Sequence, residues 1–78
     1  MNAAELEQAA AAVIHASSRP AAAVIADLLD HTAQTLHVRE GIWDLCDYSP
    51  VIQRDLTRAH FGREIAIAQA LTGAGVNT

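Results

Sequence analysis

The chain has no lysine, one cysteine, two prolines, and one each of Phe, Trp and Tyr among 78 residues. Each shortage removes something. A lone cysteine, Cys46, cannot form an internal disulfide, and the opening residues MNAAELEQ carry two glutamates where a secretory signal carries positive charge, so a cytoplasmic protein is expected. No uninterrupted apolar run is longer than the six residues 9–14, far short of the ~20 that span a bilayer, and no membrane partner is expected. Five arginines against nine acidic residues give a formal charge of −4, the wrong sign for a phosphate-binding surface. With three aromatics in all, the core has to be built from alanine and aliphatic side chains. Absent lysine and abundant alanine are the habit of GC-rich coding sequence, which points to an actinobacterial source or a virus of such a host.

What is present favours helix. Seventeen alanines, the strongest helix formers, sit in a chain that is 51% hydrophobic, which excludes a disordered segment. Seventy-eight residues suffice for one small core, so residues 1–78 are read as a single helical domain. Asn2 followed by Glu5 has the spacing of a capping box and starts a first helix over 3–17, with Leu6, Ala10, Val13 and Ser17 along one stripe. Ser17, Ser18, Arg19 and Pro20 break that helix, and Pro20 opens the next.

The second helix is predicted over 20–40, with Ile25, Leu28, Leu29, Thr32 and Leu36 inward and Asp27, Asp30, His31 and Gln34 outward. Gly41 is its expected stop and 42–48 a short helical connector, because a lone strand would find no pairing partner. Ser49-Pro50 starts a third helix over 50–72 and Gly73 ends it. Its phase sets Ile52, Leu56, Ala59, Ala66, Ile67 and Ala70 on one side, but Arg63 in the middle of them. Burying an unpaired guanidinium is unfavourable, so a kink or break is expected at Gly62. The final residues 74–78 should fray. The expected fold is all-α, a small three-helix bundle whose modest core favours dimerisation.

Chemistry-bearing residues do not converge. His31 and His37 are six apart, not the i, i+4 of a helical metal pair, and Asp27 with His31 is the spacing of an ordinary surface pair. Cys46 lies between Leu45 and Asp47, with no positive charge to stabilise a thiolate. Asp44 and Asp47 lack a cleft in which one carboxyl could be protonated, and no glycine-rich loop precedes a helix. No catalytic residue, metal site or cofactor is expected, and an enzyme is not.

The segment 63–78, REIAIAQALTGAGVNT, resembles the first helix and turn of a helix-turn-helix DNA-binding motif. That resemblance would imply a transcription regulator acting as a dimer, pooling Arg54, Arg58 and Arg63. It departs from the motif where a recognition helix should begin, since the sequence ends at Thr78. Nucleic acid is therefore the second expectation.

Charge distribution supports the first. Residues 1–49 hold two arginines and seven acids, whereas 50–78 hold three arginines and two acids. On the third helix Arg54, Arg58, Phe61 and Ile65 fall within about 80° of one another. An apolar pair framed by arginines is the composition of an interface hot spot, unless Phe61 and Ile65 belong to the core. Trp43 and Tyr48 carry the same two readings, with Trp43 expected to close the end of the bundle. The sequence thus indicates a non-enzymatic helical adaptor or regulator, a phage or mobile-element product whose partner is a host protein or a second copy of itself.

Overall fold

Asn2 opens the first helix as its spacing predicts: its Oδ1 accepts the Glu5 amide at 2.9 Å, and Glu5 Oε1 accepts the Asn2 amide at 3.1 Å. The computed structural model describes residues 1–73, which form three helices, α1 (Ala3–Ala16), α2 (Pro20–Leu45) and α3 (Pro50–Thr72). No strand occurs among the described residues, and no helix in them is long and apolar enough to cross a membrane. The expected fraying of residues 74–78 and the turn of the helix-turn-helix resemblance lie outside the described residues. Pro20 and Pro50 occupy the first turns of α2 and α3, where a missing amide breaks no bond, and Ser49 Oγ accepts the Ile52 amide at 3.3 Å.

Gly41 does not stop α2. The helix continues one further turn to Leu45, so the expected 42–48 connector is largely helix. The stop lies at Asp47, which takes the left-handed conformation with φ +63°. The Asp47 amide donates to the Asp44 carbonyl at 3.1 Å, and the Tyr48 amide to the Trp43 carbonyl at 3.0 Å. These are the two bonds of a Schellman motif, with aspartate where glycine is usual. The physical reason is that a glycine ends a helix only where the chain adopts positive φ. Gly41 stays helical, and the next turn is held by the burial of Trp43.

Helices α1 and α2 make the main interface of the molecule, while α3 packs less extensively on both. The Ala3 amide donates to Glu40 Oε2 at 3.3 Å, so the start of α1 lies beside the far end of α2 and the two are antiparallel. Met1, Asn2, Pro50 and Gln53 surround one hollow, and Ala16, Ala21 and Leu71 another. The bundle therefore runs up, down and up. Leu6, Leu29 and Leu36 are wholly buried, and Ala9, Ala10, Ala26 and Ala33 let the first two helices approach closely. Buried Thr32 and Thr57 donate their hydroxyls to the Leu28 and Gln53 carbonyls, both at 2.8 Å. No buried side-chain polar atom lacks a partner among the described residues.

The inward face of α3 is not the one predicted. Thr57, Ile65 and Ala68 are buried, with Leu56 and Phe61 packed against the core, whereas Ile52, Ala59, Ala66 and Ala70 are exposed and Ile67 is half-buried. This phase leaves Arg63 in solvent, which removes the conflict that the other phase created. The expected kink is present one residue early: Phe61 departs from helical geometry with φ −126° and ψ 18°. Gly73 ends α3 with φ +72°, as expected.

Candidate functional site

The inner face of α2 is apolar because it builds the core. Its outer face is apolar too. Val24, Leu28, Val38, Ile42 and Leu45 are exposed by 43% to 90%, with Leu45 the most exposed. At about 100° per residue they lie in one stripe no wider than about 100°. The steps between them are completed by His31 and Thr35 in the middle, so that 24, 28, 31, 35, 38, 42 and 45 alternate spacings of four and three. That alternation is the a/d spacing of a helix that pairs with another helix along its length. Nothing among the described residues covers it: α1 and α3 pack on the opposite side, where Ala22, Ala26, Leu29, Ala33 and Leu36 are buried.

Thr35 is suited to such a position. Its hydroxyl donates to the His31 carbonyl at 3.1 Å, leaving the oxygen able to accept a hydrogen bond from outside. His31 is exposed. At the α2–α3 corner beyond Leu45, Tyr48, Val51 and Ile52 are exposed as well. The corner is clasped by Gln53, whose Nε2 donates to Asp44 Oδ1 at 2.8 Å and to the Tyr48 carbonyl at 3.0 Å.

The patch predicted from sequence is divided between surface and core. Arg54 and Arg58 are exposed, but Ile65 is only 9% exposed and belongs to the core, and half-buried Phe61 packs against that core. The Phe61 break is the reason: it turns Ile65 inward while the arginines, on the preceding segment, stay in solvent. Arg54 borders a hollow with Glu5 and Glu40, and Glu40 lies about 160° around α2 from Ile42, so this arginine is remote from the exposed stripe. Arg63 is five residues beyond Arg58 and does not extend its face. Trp43 is buried at the α2 end of the bundle, as expected, whereas Tyr48 is exposed.

An open groove of about 580 Å³ between α1 and α2 is lined by Glu7, Asp30, Gln34 and His37 together with alanines. No set of three or more His, Cys, Asp or Glu residues close enough to hold a metal ion occurs among the described residues. Cys46 is exposed at the end of α2. No protein-family model, curated protein or solved structure matches the chain.

The stripe was present in the sequence but masked there. A helix that ends at Gly41 excludes Ile42 and Leu45, and helical spacing alone sets Leu28 beside Leu29 in the core. Continuing α2 by five residues restores the alternating four and three spacing over three heptads.

Proposed function

We propose that the chain is a small, non-enzymatic helical binding module, an adaptor or regulator that acts by pairing the outer face of α2 with a helix of a protein partner. The observation that carries this reading is the exposed apolar stripe from Val24 to Leu45 at a/d spacing, backed by a core that does not use it. A monomer rarely leaves a contiguous apolar surface of more than a few hundred Å² facing water, and such a patch marks a place where another surface docks. The lack of a metal-holding set of three His, Cys, Asp or Glu residues among the described residues is in keeping with a binding role.

The GC-rich character of the composition directs the search for a host partner to actinobacterial lysates. Immobilised wild-type chain should retain a specific protein there, or associate with itself in light scattering. A Val38→Glu/Ile42→Glu variant should lose that binding while keeping the same thermal unfolding curve. A wild-type chain that stays monomeric and retains nothing overturns the reading. Salt-sensitive retardation of DNA near physiological ionic strength would replace it with the nucleic-acid alternative.

A further inference from the structure

We infer that the occupant of the α2 stripe is a second copy of this chain, bound antiparallel, with the two α2 helices crossing at about residue 33. The inference rests on the binding role proposed above and specifies its partner. Three observations lead to it.

The first is self-complementarity. When two α2 helices run antiparallel and residue numbers facing one another sum to 66, Val24 meets Ile42 of the second copy and Leu28 meets Val38 of the second copy. The same register sets His31 opposite Thr35 of the second copy, twice by symmetry. Every apolar position faces an apolar one. The polar pair falls at the centre, where an imidazole N–H can donate to the threonine oxygen that its own backbone bond leaves free to accept. Shifting the register by one heptad, to a sum of 73, places His31 against Ile42 of the second copy and desolvates the imidazole without a partner. A central polar layer is a known means of fixing register in paired helices.

The second is extent. Residues 24–45 span about 33 Å at the helical rise. Their five large apolar side chains leave on the order of 500 Å² uncovered, at the upper end of what monomers expose. With the flanking atoms of Asp27, Gln34, Gly41 and Arg39, the face approaches the ~800 Å² per partner of a stable interface. The exposed arc of α2, from His37 to Arg39, covers about 200° of its circumference, so a second helix can reach the stripe without displacing α1 or α3.

The third is electrostatic. Asp27, Asp30 and His37 lie on one flank of the stripe and Arg39 on the other. In the antiparallel pair like flanks meet, which sets Asp30 of one copy level with His37 of the second copy and Asp27 near Gly41 of the second copy, so no acid faces an acid, and the two helix dipoles oppose one another. Parallel pairing aligns the dipoles. Glu40 and Asp44 sit on the inner side of α2, committed to the Ala3 amide and to Gln53, and do not enter the balance.

Sedimentation equilibrium of the full chain from ten to several hundred µM should show the mass rising from 8.3 kDa to about twice that value. Val38→Glu/Ile42→Glu should hold it at the monomer. A dimer that survives this pair of substitutions places the interface elsewhere and overturns the inference. Orientation is read by disulfide trapping on a Cys46→Ser background. Copies bearing Leu28→Cys mixed with copies bearing Val38→Cys should cross-link, whereas Leu28→Cys alone should not, its sulfurs lying about 15 Å apart. Efficient Leu28→Cys homodimers, or a Cys46 disulfide in the wild-type chain, would indicate parallel pairing and overturn the register. His31→Leu should tighten the dimer by tenfold or more and weaken the preference for the mixed cross-link. A chain monomeric at every concentration overturns the second copy as occupant. If it still retains a lysate protein through the stripe, the binding role stands with another partner, and if it retains nothing, both fall.

Discussion

Both faces of α2 carry apolar side chains, and the two have opposite fates. Inward, Ala22, Ala26 and Ala33 are small beside the large Leu29 and Leu36, and the small positions admit α1. Outward, Val24, Leu28, Val38, Ile42 and Leu45 are uniformly large and stay exposed, with no helix among the described residues packed over them. The difference teaches that in this molecule hydrophobicity alone does not select the core. The mixture of small and large side chains does, because close helix approach needs alanine on at least one side of the contact. The outer face, bulky and partly β-branched, has the character of a paired-helix seam.

This comparison can be broken first on its inner side. Leu36→Ala, at a wholly buried position, should cost about 2–5 kcal/mol, a large part of the roughly 4–12 kcal/mol expected of a domain this size, and chemical denaturation should show the midpoint collapse. Gly41→Ala acts at the boundary between the faces and should raise stability by about 1 kcal/mol. Gly41 is helical and exposed, and an added methyl group would meet no atom within 4 Å. Asp47→Gly should add about 0.5–1 kcal/mol in the same assay by relieving the left-handed aspartate of the α2 stop. The smallest effect belongs to the outer face. Val38→Glu should change the monomer's stability by no more than about 0.5 kcal/mol, measured at low micromolar concentration, and a larger loss would mean that the stripe is structural.

The caps were the legible part of the fold. The Asn2/Glu5 box, Pro20, Ser49-Pro50 and Gly73 each mark a boundary that the structure reproduces, because capping depends on residues within a turn of one another. The phase of α3 was not legible, since two apolar stripes compete on it and the kink at Phe61 couples the choice to packing against the other helices. The end of α2 was misplaced for a related reason. Asp47 adopts positive φ only because the turn is closed by the Trp43 and Asp44 carbonyls, and a glycine six residues earlier is the louder local signal. The candidate site followed from that boundary: Arg54, Arg58, Phe61 and Ile65 share a straight-helix face on paper, while the exposed stripe emerges only when α2 keeps its last turn.

The burial of Trp43 has a spectroscopic consequence. The chain's one indole is covered in the last turn of α2, about 100° around the helix from Ile42, so its fluorescence reports the interior and not the stripe. Emission should lie to the blue in the folded chain and move red on unfolding. Concentrating the native protein should leave it unchanged. One intrinsic chromophore thus separates folding from association without any label.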